Sequence, residues 1–296
     1  MISPRRTVAV DLGKSRCRVA IDGSLLDGIG APGLAASGGV EAALAAIRPL
    51  LAGVRGSFDL VGVGAAGAWT APGAAQELAS ALAADTGVPV AVASDVVTAH
   101  AGALGGEPGV LLIAGTGAAA LGIDADGIRL VDGWGPELGD FGSGSWLGRE
   151  ALRAVLRQSA GLAPDTALTR VIDEQIGSAS AIATWLALPE PLPRRLATLA
   201  PAVLDAADAG DIVAGEIAAD ALRLLTASAV AASSGTPDVT LHGGLTDHAW
   251  FRSALVAALQ AAGRRDVPAA GDALEGASLL ARRVDLPHER FVHRAE

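Results

Sequence analysis

An apolar run, a glycine-marked turn and a second apolar run occur twice along this chain, and that repeat narrows the folds open to it. The first copy reads Val8-Ala-Val-Asp11-Leu-Gly13-Lys14-Ser15 and continues through Arg18 into Val-Ala-Ile. The second reads Val110-Leu-Leu-Ile-Ala-Gly115-Thr116-Gly117 and continues through Ala-Ala-Ala-Leu-Gly-Ile. Each spells strand, tight turn, strand: a hairpin whose glycines let backbone amides and a hydroxyl face a phosphate. Between the copies, Asp95 follows Val-Pro-Val-Ala-Val-Ala-Ser and precedes a helix start, where Ser94 or Asp95 is an apt N-cap.

Around these turns, strands alternate with helices. Thr7–Asp11, Arg16–Ile21, Leu25–Gly30, Leu60–Gly64 and Val88–Ala93 read as strands, and 40–51 and 74–84 as helices. The pattern restarts with strands at 109–114, 118–123 and 128–132. About a hundred helical residues punctuated by prolines follow, then a strand at 239–242, a helix at 250–262 and a last helix from about Asp272. This predicts an α/β protein of duplicated halves with a central cleft and hinged motion. The expected lobes are 1–107 and 108–296, the second carrying the helical insertion and a last helix that can pack back on the first.

A formal charge of −10 and a pI near 4.9 argue against nucleic acid as a partner. The longest apolar stretch, 110–123, is interrupted by glycines and too short to cross a bilayer, and Asp11 breaks any signal-peptide core after Arg5 and Arg6. A lone cysteine, Cys17, leaves no disulfide framework and no cysteine metal site, so a cytoplasmic protein is expected.

The residues that suggest chemistry are few. In Asp11-x-Gly13-Lys14-Ser15, glycine permits the turn, serine offers a hydroxyl to phosphate, and Asp11 suits a hydrated Mg²⁺. Thr116 repeats that hydroxyl between Gly115 and Gly117. An ordinary hairpin accounts for either turn alone, whereas the pair points to phosphate binding. Asp95 is placed to take the proton of an attacking alcohol, which makes kinase chemistry the leading expectation. The Gly-rich stretch from Asp132 to Glu150 contains Trp134, able to cover a sugar face, and Asp140, able to accept from two hydroxyls. A surface loop is the alternative. Gly243 and Gly244 after the late strand suit either close packing or a nucleoside.

Taken in order, these stretches resemble the N-acetylglucosamine kinase group of the BadF/BadG/BcrA/BcrD ATPase family, within the actin, Hsp70 and sugar kinase superfamily. The match is strongest over Ser94–Ala103, Gly109–Gly117 and Gly133–Asp140, and extends to 201–211 and 271–277. The resemblance implies duplicated ribonuclease H-like lobes, ATP and Mg²⁺ as cofactors, a sugar acceptor and a homodimer. It places Gly13, Lys14, Ser15, Gly115, Thr116 and Gly117 at the phosphates, Gly243 and Gly244 at adenosine with Gly210 nearby, and Asp11 at the metal. Asp95 falls at the catalytic base and sugar contact, and Trp134, Gly135 and Asp140 at the sugar.

Three positions depart from that pattern. Residues 30–35 lack the family's sugar-binding asparagine, Phe141 stands in place of glutamate, and Ser15 replaces a common threonine. The activator branch of the family, which holds an iron–sulfur cluster on two cysteines per chain, does not suit a chain with Cys17 alone.

Overall fold

A computed structural model describes residues 5–296. The chain divides into two compact units, one formed by Met1–Pro108 with Pro268–Glu296 and the other by Gly109–Val267.

The first unit is built on β1 (Thr7–Leu12), β2 (Arg16–Ile21), β3 (Ser24–Ile29), β4 (Leu60–Ala65) and β5 (Val90–Ser94). β1 to β3 form an antiparallel meander. β4 then pairs parallel to β1, and β5 parallel to β4. The central strands β4 and β5 are buried along their whole length. They therefore read as unbroken apolar runs with no alternation, as a sheet covered on both faces requires.

Helices α1 (Gly39–Ala52) and α2 (Pro72–Thr86) cover one face, and their Ile47, Leu78 and Leu82 are fully buried with Val8, Val10, Val61 and Val63. The other face is covered by α3 (Asp95–Ala103) and by a helix from the far end of the chain, Ala273–Arg282, which is α11 in chain order. Here glycine and alanine replace large side chains. A Cβ at Gly62 would lie 2.0 Å from the Ala277 carbonyl oxygen, one at Gly102 1.8 Å from the Asp272 carbonyl, and one at Gly276 1.8 Å from the Thr98 carbonyl. Backbone therefore packs on backbone where α11 crosses β4 and α3. Gly276→Ala is expected to cost about 3 kcal/mol or more, because backbone is less able than a side chain to yield to overpacking. Thermal denaturation should show a Tm lower by about 6 °C or more; an unchanged Tm would refute this packing.

The second unit repeats the plan with β6 (Gly109–Ala114), β7 (Ala118–Asp124) and β8 (Gly127–Asp132), again a meander. β9 (Asp238–His242) pairs parallel to β6, and β10 (Arg265–Asp266) parallel to β9. The two sheets thus share one strand order, β5-β4-β1-β2-β3 and β10-β9-β6-β7-β8. Among the described residues, only the first has an added edge strand, β11 (His293–Ala295), antiparallel to β5.

Helices α4 (Gly144–Ser159), α5 (Ala167–Gln175), α6 (Ile182–Leu186), α7 (Leu192–Ala197) and α8 (Ala200–Asp208) precede α9 (Ile212–Ala232). Together with α10 (Ala249–Ala261) they build the second core around Leu147, Val155, Leu225 and Phe251. Side-chain caps fix several of these starts: Ser143 accepts from the Trp146 amide, Asp211 from the Ala214 amide, and Asp272 forms a capping box with Glu275 at α11.

Candidate active site

In the first unit, β1, β4 and β5 run parallel with Leu12, Ala65 and Ser94 in register, so their carboxyl ends share one edge. Neighbouring strands lie about 4.8 Å apart, which sets the ends of β1 and β5 about 10 Å from each other. The Gly13–Ser15 turn leaves the first of these strands and Asp95 leaves the last. The carboxyl edge of parallel strands is where α/β sheets commonly bind ligands.

The turn closes by a 2.9 Å bond from the Gly13 amide to the Arg16 carbonyl, and the Gly13 carbonyl accepts from the Ala31 amide at 3.2 Å. A Cβ at Gly30 would lie 2.3 Å from that same carbonyl, so glycine there lets the two loops touch. Lys14 and Ser15 are exposed, and no backbone hydrogen bond among the described residues uses their amides. Amides without a backbone partner in an exposed turn are open to an anion.

Asp95 is the first residue of α3. Its Oδ1 accepts from the Ser94 hydroxyl and the Val96 amide, both at 2.9 Å, whereas Oδ2 accepts nothing among the described residues. Neither Ser94 nor Asp95 acts as a conventional side-chain cap, since the Ser94 hydroxyl is turned onto the carboxylate. Burial holds the Asp95 carboxyl above the ordinary aspartate range, against the opposing pull of the Ser94 and Val96 hydrogen bonds, and the nearby negative charge of Asp11 adds to the rise. A half-buried carboxylate with one committed and one open oxygen, and raised basicity, is fitted to general-base work.

Asp11 lies near the end of β1, and its Oδ2 is bonded to Arg18 at 2.7 and 3.1 Å. Its Oδ1 accepts no hydrogen bond among the described residues. No group of three or more His, Cys, Asp or Glu among those residues forms a metal cage. A single open carboxylate oxygen fits Mg²⁺ that arrives on a polyphosphate, which is bound through one or two carboxylates and the phosphates themselves.

In the second unit, β6 and β9 are parallel with Ile113 opposite His242, so the Gly115–Gly117 turn and Gly243 emerge side by side. Gly243 has φ of +111°, and a Cβ there would meet the Ala114 carbonyl oxygen at 2.6 Å and the Gly115 amide at 2.8 Å. The turn's carbonyls are tied to the start of α4, Gly115 accepting from the Gly144 amide at 2.8 Å and Thr116 from the Ser145 amide at 3.1 Å. The Thr116 and Gly117 amides donate to no backbone carbonyl among the described residues. Each turn closes through the amide of its first glycine, Gly13 or Gly115, and leaves the next two amides without a backbone partner among the described residues.

Asp140 approaches the same turn, its Oδ1 lying 3.4 Å from the Ala118 amide and its carboxylate against Gly117. It is held by Asp132, which sequence reasoning left without a role. This buried residue adopts φ of +63° and accepts from the Asp140 amide at 2.8 Å and the Phe141 amide at 2.7 Å. The signal was an aspartate at a strand end directly before glycine, where its side chain is free to bond backbone further on. Trp134 stands 66% exposed with its ring edge-on to Phe141, and Gly135 takes φ of +89°. Gly210, φ +89°, closes the C-terminus of α8, its amide bonded to the Ala207 carbonyl at 3.0 Å. No backbone hydrogen bond among the described residues joins it to Gly115–Gly117 or Gly243.

His100, which follows in α3, is fully buried with His288, their Nδ1 and Nε2 3.0 Å apart. Burial, aided by the His100 neighbour, pushes His288 down to about 3, so that ring is neutral at physiological pH.

The model of the BadF/BadG/BcrA/BcrD ATPase family matches residues 28–281. The chain belongs to this family. A curated member-like relative, the N-acetyl-D-glucosamine kinase of Dictyostelium discoideum, is 34% identical over 134 residues. That match spans 44% of the chain and 42% of the relative, less than half the length of each. Among solved structures, a candidate N-acetylglucosamine kinase from Chromobacterium violaceum superposes with a TM-score of 0.75 at 28% identity. It covers 94% of this chain and 99% of its own. A ROK family glucokinase from Streptomyces griseus, solved with glucose and AMPPNP, gives 0.55 at 17% identity over 94% and 99%, a likeness of fold alone. The duplicated strand order of this BadF/BadG/BcrA/BcrD ATPase family member is thus one that sugar kinases also use.

Proposed function

We propose that this protein is an ATP-dependent sugar kinase that transfers the γ-phosphoryl group to the 6-hydroxyl of N-acetylglucosamine. One observation carries the reading. Equivalent strands of the two sheets end in glycine turns, each with two amides that donate to no backbone carbonyl among the described residues, and Asp95, on the same edge as the first turn, offers an open oxygen of raised basicity. The family match and the names of the Dictyostelium and Chromobacterium relatives support the substrate class.

The amides of Lys14, Ser15, Thr116 and Gly117, with the two hydroxyls, hold the phosphates. Gly243 and Gly244 approach the nucleoside, with Gly210 assigned there on family resemblance. Asp11 would hold Mg²⁺ through its open Oδ1; when bound, the ion neutralises charge on the polyphosphate. Asp95 Oδ2 takes the proton as the sugar oxygen bonds to the γ-phosphorus and the bond to ADP breaks. Trp134, Gly135 and Asp140 orient the sugar. We read the protein as a cytoplasmic homodimer. No helix among the described residues is long and apolar enough to cross a membrane, and the dimer rests on the family resemblance.

Because residues 30–35 lack asparagine and Phe141 stands in place of glutamate, the second reading is a kinase for glucosamine, N-acetylmuramic acid or glucose, or a non-catalytic ATP- or sugar-sensing member of the family. ADP release measured over this panel with ATP and Mg²⁺ is expected to be greatest with N-acetylglucosamine. Highest kcat/KM for another sugar would establish the second reading as a kinase, and ATP binding without ADP release its non-catalytic form. Sugar-independent hydrolysis, or no change of Tm on adding ATP, would overturn both.

A further inference from the structure

Every nitrogen of the Arg18 guanidinium is spent on carboxylates. Nε and Nη2 bond Asp11 Oδ2 at 3.1 and 2.7 Å, and Nη1 bonds Asp272 Oδ2 at 3.2 Å. Arg18 lies on β2 opposite Asp11 on β1, and its side chain is 26% exposed. Asp272 is the N-cap of α11, its own Oδ1 accepting from the Leu274 and Glu275 amides at 2.9 and 3.1 Å. One aspartate oxygen thus anchors a helix start while the other holds an arginine, and that arginine in turn claims one oxygen of Asp11.

From this chain of contacts we infer that Asp272 and Arg18 are positioning residues for the divalent-cation function of Asp11. The inference rests on the reading of Asp11 as the carboxylate that faces nucleotide-borne Mg²⁺. A free aspartate at a strand end rotates and presents either oxygen. Here the fork holds Oδ2, which leaves Oδ1 as the oxygen without a partner among the described residues. Partners that orient a ligating carboxylate commonly contribute a factor of about 10–100 in metal affinity.

Alternatives for Arg18 are separable by experiment. An arginine that bound phosphate directly would strengthen nucleotide binding with or without metal. One that merely braced the hairpin would show in stability. The positioning role alone acts on the difference between metal-bound and metal-free nucleotide.

The test is titration calorimetry of ADP, once with excess Mg²⁺ and once with EDTA, on wild type, Arg18→Gln, Arg18→Lys and Asp272→Asn. Wild type is expected to bind ADP more tightly with Mg²⁺. Arg18→Gln should lose about 10–100-fold of the Mg²⁺-dependent gain while keeping its EDTA affinity. Arg18→Lys should not restore the gain, because a single ammonium lacks the planar fork. Asp272→Asn keeps a good N-cap but loses the charge facing Arg18, and should show an intermediate loss at unchanged Tm.

Equal weakening in Mg²⁺ and EDTA for Arg18→Gln would overturn the inference, as would a full wild-type gain in Asp272→Asn. Wild type that binds ADP equally with and without Mg²⁺ would remove the role of Asp11 and this inference with it. Wild type that binds no ADP at all would remove the kinase reading itself.

Discussion

Replacing Asp95 with asparagine is expected to lower kcat by about 10²–10⁴-fold, the range that a positioned general base supplies. Asparagine keeps an Oδ1 to accept from the Ser94 hydroxyl and the Val96 amide, so the start of α3 should survive. What disappears is the second, open oxygen and its proton affinity. ADP affinity should stay within a few-fold of wild type, because the phosphate turns are untouched.

Stability should move the other way. Burial raises the folded-state pKa of Asp95 above its ordinary value, so ionisation costs the folded protein stability as pH rises through that raised pKa. Below the ordinary range both states are protonated and there is no cost. Above the raised pKa the cost is fully present, and there Asp95→Asn should hold or raise the Tm. The acid limb of kcat/KM in wild type should likewise sit above the ordinary aspartate range. A variant that retains wild-type kcat, or an acid limb at the ordinary value, would remove Asp95 from the base role.

Gly243→Ala is expected to weaken ADP binding by about 100-fold or more. At φ +111° and ψ 156° the residue occupies a region open essentially to glycine, which costs any other residue about 1–3 kcal/mol. Its Cβ would also meet the Ala114 carbonyl and the Gly115 amide, both backbone atoms beside the second phosphate turn. The turn must shift, and with it the Thr116 and Gly117 amides. Two hydrogen bonds to a charged group at about 1.5 kcal/mol or more each correspond to that loss. Gly215→Ala is the control. It lies in α9 with nothing within 4 Å of its added Cβ, and should bind ADP normally. Wild-type ADP affinity in Gly243→Ala would show that the turn is not held by this contact.

Much of the fold was legible because the strands are buried on both faces. Runs such as Leu60–Ala65 and Gly109–Ala114 leave no helical period, and glycine or proline marks their ends. The repeated hairpin revealed the duplication, and both sheets do share one strand order. β10 and β11 were missed, since strands of two and three residues carry too little pattern to distinguish them from loop. The Asp11–Arg18–Asp272 contacts were also hidden. Residues 18 and 272 are far apart in the chain, and only the packing of α11 on the first sheet brings them together. Asp95 stood out because a charge directly follows an apolar strand. Asp132 did not, because an aspartate before glycine at a strand end also marks an ordinary turn, and only the fold shows its side chain bonding the Asp140 and Phe141 amides.

The last helix has a consequence for how the protein is made. The second unit is a single uninterrupted stretch, whereas the first lacks α11 until residues far beyond Pro108 exist. A ribosome therefore delivers every part of the later unit before it delivers the lid for the earlier one. Until then the backbone at Gly62 of β4 and Gly102 of α3 has no helix packed against it.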